Sequence, residues 1–144
     1  MKKILTVFLV IMLFCCLTIP AYAVEPAAVV DPPTAEPCFQ VLTVVSSGID
    51  ISAAKTAICT GIARGSSNSY TLKVTMNLQQ KIDGSWTSIA FWKTTGTGPS
   101  GVSFSKIKQG LSSGIYRTRV YVGVYDSSGN FVESTTVYSQ NMSC

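Results

Sequence analysis

The sequence predicts an all-β protein, a single antiparallel β-sandwich of about seven strands. In residues 111–126, the even positions from 116 onward carry β-branched or aromatic side chains, which a strand would send to one buried face. Residues 70–82 alternate apolar and polar side chains in the same way. Short runs of this kind are separated by Gly, Ser, Asn and Asp after Cys38. Because a strand with one buried face needs a second sheet to cover it, these patterns favour two packed sheets.

The first residues have the features of a secretory signal peptide. A basic start precedes the apolar residues 4–19, and Ala21-Tyr22-Ala23 has the small-x-small spacing that signal peptidase recognises. The apolar run is shorter than the roughly 20 residues that cross a bilayer. We therefore expect removal of residues 1–23, secretion of a mature chain that begins at Val24, and no membrane span in that chain.

Residues 24–37 form a proline-rich acidic segment, with four prolines and three acidic residues. The segment is interpreted as an extended spacer, and a disordered N-terminus is the alternative. The sandwich domain then covers residues 38–144, with nine cationic and four acidic side chains and a net charge of +5. This charge is too mild for nucleic acid, which calls for a concentrated basic stripe. It allows a weak attraction to anionic surfaces such as cell-wall polymers.

Seven strands are predicted in chain order, at residues 39–51, 55–63, 70–82, 85–94, 102–108, 111–126 and 131–142. The first is expected to break near Ser46-Ser47-Gly48, and the second has a face of small residues around Cys59. Between the third and the fourth, Asp83-Gly84 predicts a two-residue hairpin turn, because glycine adopts positive φ without steric cost. A glycine-rich loop at residues 96–101 leads into the fifth strand, and residues 126–130 turn the sixth into the seventh.

A resemblance to known proteins begins where the sixth strand opens. Leu111-Ser112-Ser113-Gly114-Ile115-Tyr116 resembles the corner in immunoglobulin-like and fibronectin type III-like sandwiches at which a tyrosine hydroxyl bonds to nearby backbone. The runs Thr-Ala-Ile-Cys-Thr-Gly, Gly-Ile-Tyr-Arg and Val-Tyr-Asp-Ser-Ser-Gly are similar to small secreted proteins of Gram-positive bacteria with no assigned function. This resemblance covers most of the chain after Cys38. It implies an immunoglobulin-like fold and an extracellular location, and it implies no catalytic residues.

Three cysteines remain after removal of the signal peptide: Cys38, Cys59 and Cys144. An exported protein meets an oxidising environment, so one disulfide and one leftover thiol are expected. Cys38 and Cys59 lie on neighbouring predicted strands, whereas Cys144 ends the last strand at the opposite end of the sandwich from Cys38. We therefore predict a disulfide between Cys38 and Cys59. The sixth predicted strand contains no cysteine, so the bridge between sheets of true immunoglobulin domains is not expected.

The composition argues against an enzyme, a cofactor or a metal site. Histidine is absent, which removes the usual general base, the common nucleophilic triads and most metal sites together. The carboxylates Asp50, Asp83 and Asp126 fall at predicted turns, and Glu133 falls on a predicted exposed edge strand. A glycosidase would need two carboxylates facing each other, and no motif supports such a pair. The spacing of Gly96, Gly98 and Gly101 matches a dinucleotide fingerprint, but another strand follows it instead of a helix.

Two sets of side chains are candidates for binding. Trp86 and Trp92 could stack on a carbohydrate, although filling the core is the favoured interpretation. The second set points away from the core if the third and sixth strands are neighbours, and its members are Lys73, Arg117, Arg119 and Tyr121, with Asn77 and Tyr125 beside them. Tyrosine and arginine are enriched at binding surfaces. A merely solvated sheet face is the favoured interpretation of this set, and a binding surface stays open beside it.

These observations favour a secreted, non-enzymatic binding or adhesion module. Its partner would be a cell-wall polymer, a glycan or a surface protein, engaged through the sheet face that bears Arg119 and Tyr121. A secreted bacteriocin-like or toxin-like effector is the alternative, and a carbohydrate-active enzyme is a weak third. Binding to purified cell wall without killing would favour the module, and growth inhibition of neighbouring cells would favour the effector. The sequence specifies neither the ligand nor the oligomeric state.

Overall fold

The computed structural model describes residues 39–144, which fold into eight β-strands without a helix. The strands are β1 (Leu42–Ser52), β2 (Thr56–Gly65), β3 (Thr71–Ile82), β4 (Ser85–Thr97), β5 (Val102–Lys108), β6 (Ile115–Tyr125), β7 (Phe131–Tyr138) and β8 (Met142–Ser143). The prediction of an all-β fold is confirmed. The signal peptide, the spacer and Cys38 lie outside the described residues, and within residues 39–144 no helix could cross a membrane.

The strands form two antiparallel sheets. Sheet A has the order β1-β2-β5, and sheet B has the order β4-β3-β6-β7, with the short β8 paired to the start of β6. The third and sixth strands are neighbours, from Thr71 opposite Tyr125 to Gln80 opposite Tyr116. This pairing puts the two most regular strands at the centre of sheet B, facing sheet A.

The buried face of sheet B follows the predicted alternation. The even positions from 72 to 78 on β3 and from 116 to 124 on β6 are buried, and the fully enclosed side chains are Leu72, Val74, Met76, Leu78, Tyr116, Thr118, Val120, Val122 and Val124. Small residues of β2 pack against them, since Ala57, Cys59 and Ala63 are also inaccessible to solvent. The predicted register of both strands and the small-residue face of β2 are therefore confirmed.

The first strand does not break. Gly48 lies opposite Thr60, and the serines before it also have partners on β2, so the ladder continues through the segment expected to interrupt it. Asp50 consequently lies within β1, opposite Ile58, and not in a turn as predicted. The local Ser-Gly signal was overridden here because every residue of the segment gains a cross-strand partner.

The sixth strand begins at Ile115, four residues later than predicted, because residues 111–114 form a corner. Leu111 is buried and its N–H donates to the Lys55 carbonyl. The Tyr116 hydroxyl donates to the Ser112 carbonyl at 2.6 Å. This is the tyrosine contact that the resemblance implied for this position.

The seventh predicted strand is divided in two. Ser139 interrupts it, since its hydroxyl accepts the Thr118 N–H at 2.8 Å and its own N–H donates to the Thr118 carbonyl at 2.9 Å. Ser139 alone therefore bonds to both the N–H and the carbonyl of Thr118 on this side of β6. The chain leaves β7 after Tyr138 and returns as β8, where Cys144 exchanges two backbone bonds with Gly114.

Two predicted turns are present. Asp83 and Gly84 have φ of 48° and 81°, as a hairpin turn of the favoured hand requires. After β6, the Asp126 carboxylate accepts hydrogen bonds from the side chain and backbone of Asn130 and from the Ser128 N–H. The bonds from Asn130, first that of its side chain, hold the pKa of Asp126 below its ordinary value. Both carboxylates therefore belong to turns, as predicted from their positions.

Candidate functional site

The solvent-facing side of sheet B gathers cations and aromatic rings from four strands. We call this surface the outer face, and its cations are Lys73, Lys81, Lys93, Arg117 and Arg119. Its aromatic residues are Trp86, Phe91, Tyr121, Tyr125, Phe131 and Tyr138. The four side chains predicted to share a face, Lys73, Arg117, Arg119 and Tyr121, all lie on it. They do so because β3 and β6 are paired and these residues occupy odd positions of both strands.

Arg117 is the most constrained side chain of the outer face. Its guanidinium carbon lies 4.1 Å from the centre of the Trp86 ring and 4.1 Å from the centre of the Tyr138 ring. Its Nε donates to Gln79 Oε1 at 2.9 Å. Gln79 is the residue opposite Arg117 on β3 and is itself buried. Two cation–π contacts and one hydrogen bond therefore fix the plane of the guanidinium.

Another cation–π contact lies at the other end of the outer face. Lys73 Nζ is 4.0 Å from the centre of the Tyr125 ring, and Tyr125 meets Phe131 edge to face with 5.9 Å between ring centres. Gly123 makes room for these rings. A Cβ atom there would lie 3.2 Å from the Tyr125 ring and 3.5 Å from the Tyr121 hydroxyl. The absence of a side chain at this position lets the two tyrosine rings lie close to the sheet.

The two tryptophans lie on opposite faces of β4. Leu78 pairs with Ala90 but Gln79 pairs with Ser88, so Ile89 is an extra residue and forms a β-bulge. The bulge reverses the alternation of side chains, and Trp92 packs against the core whereas Trp86 lies beside Arg117 on the outer face. The core interpretation is confirmed for Trp92 and wrong for Trp86.

The charge of the outer face is positive throughout. None of the four carboxylates in residues 39–144 lies on it. Asp83 and Asp126 are in turns, Asp50 is on sheet A, and the Glu133 carboxylate accepts backbone N–H groups at the start of β1. The five cations of the outer face consequently have no acidic neighbour on the same surface.

The corresponding side of sheet A has a different character. Its side chains are mostly aliphatic or hydroxyl, namely Ser46, Ile58, Thr60, Ile62, Ser103, Ser105 and Ile107, and its charged members are Asp50 and Arg64. No aromatic ring is among them. The asymmetry between the two solvent-facing sides singles out the outer face of sheet B as the candidate binding surface.

The glycine-rich connection after β4 is a packed turn. Gly98 has a φ of 49°, its N–H donates to the Tyr70 carbonyl, and its carbonyl accepts the Gly65 N–H. A Cβ atom at Gly98 would clash with the side chain and backbone of Asn68. The glycine is thus required by a close approach between two loops, and β5 follows, as the sequence predicted.

The described cysteines lie far apart on the chain and in different surroundings. Cys59 is fully buried on β2, and burial raises the pKa of its thiol, with the nearby Thr118 hydroxyl acting weakly in the opposite direction. Cys144 is partly buried at the end of the chain and forms no disulfide with Cys59. A buried thiol with a raised pKa holds little of the reactive thiolate.

The register of β1 sets a condition on the predicted Cys38–Cys59 bridge. Cys59 lies opposite Ile49, which is seven residues or about 23 Å along β1 from Leu42. Cys38 precedes Leu42 by four residues, which reach about 14 Å at most. A disulfide needs Cα atoms within about 7 Å, so this bridge requires β1 to shift relative to β2. Since Cys38 is outside the described residues, the pairing stays a prediction.

Alkylation of the folded, unreduced protein tests these surroundings. We expect Cys144 to be labelled and Cys59 to be protected, because burial hides its sulfur and disfavours the thiolate. Equal labelling of both would contradict the described core. Peptide mapping after unfolding without reductant then decides the pairing, since a Cys38–Cys59 peptide shows the bridge and a newly labelled Cys59 excludes it.

Residues 39–144 contain no group of three cysteine, aspartate or glutamate side chains placed to hold a metal ion, and they form no pocket. The surfaces available to a ligand in this part of the chain are sheet faces and loops. In comparisons with protein-family models and with curated proteins, the sequence matches none.

Proposed function

We propose that the protein is a secreted, non-enzymatic binding or adhesion module that engages a glycan, a cell-wall polymer or a surface protein through the outer face. The observation that carries this proposal is the concentration of five cations and six aromatic rings on one side of one sheet. Arginine, tyrosine and tryptophan are the residues that interfaces enrich. A face that only keeps the protein soluble would not need rings held against its cations.

The described carboxylates support a binding role over a hydrolytic one. Asp126 is engaged by Asn130 and Ser128, and Glu133 by the backbone of residues 40–42. Asp83 is in a hairpin turn, and Asp50 faces solvent on sheet A. Acid–base hydrolysis of a glycan needs two carboxylates on either side of one bond, and these four lie in separate places.

The proposal includes an immunoglobulin-like fold. With β1 to β7 in the places of strands A to G, the central strands pair as C with F and F with G, and A pairs with B. The constant-type arrangement puts the fourth strand beside the fifth, whereas β4 here pairs with β3. The Tyr116–Ser112 contact supports the same assignment.

A double variant tests the binding face. Arg119→Ala with Tyr121→Ala is expected to abolish retention on purified cell walls, because it removes a cation and a ring from the middle of the outer face. The thermal midpoint should hardly change, since both side chains are partly exposed and such substitutions usually move stability by less than about half a kcal/mol.

A matched pair on sheet A provides the control. Thr60→Ala with Ser105→Ala alters two exposed, directly paired residues on the opposite side of the sandwich and should leave retention intact. Retention that survives the Arg119 and Tyr121 changes would reject the outer face. The glycine-rich connection at residues 96–101 would then be the next surface to test, since loops at the ends of sandwiches also carry recognition.

A further inference from the structure

We propose that the ligand of the outer face is an anionic polysaccharide and that Arg117 is its central contact. This inference rests on the proposed function and specifies its ligand class. Three features of the outer face support it: the contacts that hold Arg117 and Lys73, the aromatic rings beside these two cations, and the spacing of the five cations.

The free edge of Arg117 fits an anionic group. The Trp86 and Tyr138 rings both pack against the guanidinium, each with its centre 4.1 Å from the guanidinium carbon, and Gln79 accepts from Nε. The terminal Nη groups have no hydrogen-bond partner within residues 39–144, and they lie in the plane that the rings have fixed. A carboxylate or phosphate binds such an edge through two parallel N–H bonds, and the fixed geometry lowers the entropic cost of binding.

Three of the six aromatic rings of the outer face have a cation 4.0 or 4.1 Å from the ring centre, and the Phe91 and Phe131 rings stay more than half exposed. Arg117 occupies one face of Trp86 and one face of Tyr138, and Lys73 occupies one face of Tyr125. A surface that reads nucleic acid bases offers open ring faces on which successive bases stack. The rings beside Arg117 and Lys73 hold cations in place instead, which favours recognition of charge at these two points.

The spacing of the cations fits a polymer. Lys73 and Gln79, the partner of Arg117, are six residues apart on β3, which is about 20 Å. Arg119 lies between these two ends on β6, and Lys81 and Lys93 extend the array on β3 and β4. With no carboxylate on this surface, a chain with repeated anionic groups would be complementary in charge along its whole length.

A pair of probes that differ in charge alone tests the ligand class. Polygalacturonate should bind, and its fully methyl-esterified form should not, because esterification neutralises each carboxylate on the same backbone. Binding should weaken as sodium chloride rises from about 0.05 to about 0.5 M. Equal binding of the two polymers, or stronger binding of a single-stranded DNA of equal charge, would overturn the proposal.

Variants of Arg117 test its role. Arg117→Ala and Arg117→Lys should each weaken polygalacturonate binding by about tenfold or more, since lysine keeps the charge but not the bidentate fork. Lys108→Ala removes one cation from the exposed edge strand β5 and should weaken binding less than about twofold. If the folded Arg117→Lys variant bound polygalacturonate as well as the parent protein, Arg117 would not be the central contact of the ligand. The two proposals can fail separately. If the protein is retained on cell walls through Arg119 and Tyr121 but does not bind polygalacturonate, the anionic ligand is rejected and the binding module is kept.

Discussion

Replacement of Leu72 by alanine is expected to lower the free energy of unfolding by about 2 to 5 kcal/mol. Leu72 is 0 % exposed and lies opposite Val124 in the centre of sheet B. Its side chain also reaches the end of β2 in the opposite sheet, since one of its methyl carbons would lie 3.6 Å from a Cβ atom at Gly65. Truncation therefore loses apolar burial and leaves a cavity between the two sheets.

Thr75→Ala is the control for Leu72→Ala. Thr75 occupies the opposite side of the same strand and is partly exposed, so its loss should cost far less. Urea unfolding of both variants gives the comparison, with the slope of each transition checked against the parent protein. Similar losses for the two substitutions would mean that the strand is displaced by one residue, because such a shift exchanges the two faces.

The sequence predicted those parts of the fold that are specified by the residue pattern of a single strand or turn. Residues 72–78 of β3 and 116–122 of β6 alternate between buried and more exposed positions, and this period of two needs no knowledge of neighbouring strands. The hairpin turn at Asp83-Gly84 is equally local, since its signal is a residue that adopts positive φ. The common face of Lys73 and Arg119 followed from one further assumption, that the two strands are paired.

The parts that the sequence did not predict depend on contacts between distant residues. Trp86 was expected in the core because buried aromatic side chains dominate sandwich interiors, and the bulge at Ile89 puts it on the opposite face from Trp92. The stack on Arg117 joins three strands, and no spacing in the sequence connects Trp86, Arg117 and Tyr138. A turn is indicated in a sequence by a cluster of Asn, Ser or Gly. A bulge inside a strand has no residue pattern of this kind, so the sequence did not indicate the one at Ile89.

Glu133 shows the same limit and is expected to have the second large effect on stability. The sequence presented it as a solvent-exposed carboxylate on an edge strand. In the structure its Oε1 accepts from the Val41 and Leu42 N–H groups at 3.0 and 2.7 Å, and its Oε2 accepts from the Gln40 N–H at 3.0 Å. The acceptor and its nearest donor are 91 residues apart along the chain.

These bonds connect the edges of the two sheets. Glu133 lies on β7 at the edge of sheet B, and β1 is an edge strand of sheet A. The side chains of Val41 and Leu42 are buried, so their amides have few other partners once the carboxylate is gone. Hydrogen bonds to a charged group contribute about 1.5 to 3 kcal/mol to stability, more than those between neutral groups.

Glu133→Ala is therefore expected to lower the free energy of unfolding by about 2 to 3 kcal/mol, and Glu133→Gln by less, since glutamine keeps one acceptor oxygen but no charge. Hydrogen exchange of the Val41 and Leu42 amides should accelerate in both variants. Ser134→Ala is the matched control, because Ser134 is the next residue of β7 and is exposed. If Glu133→Ala behaved like Ser134→Ala in stability and in exchange, the carboxylate would not hold β1 in place. The attachment of β1 to sheet B would then depend on core packing and on the hydrogen bond from the Ser47 hydroxyl to the Thr118 carbonyl.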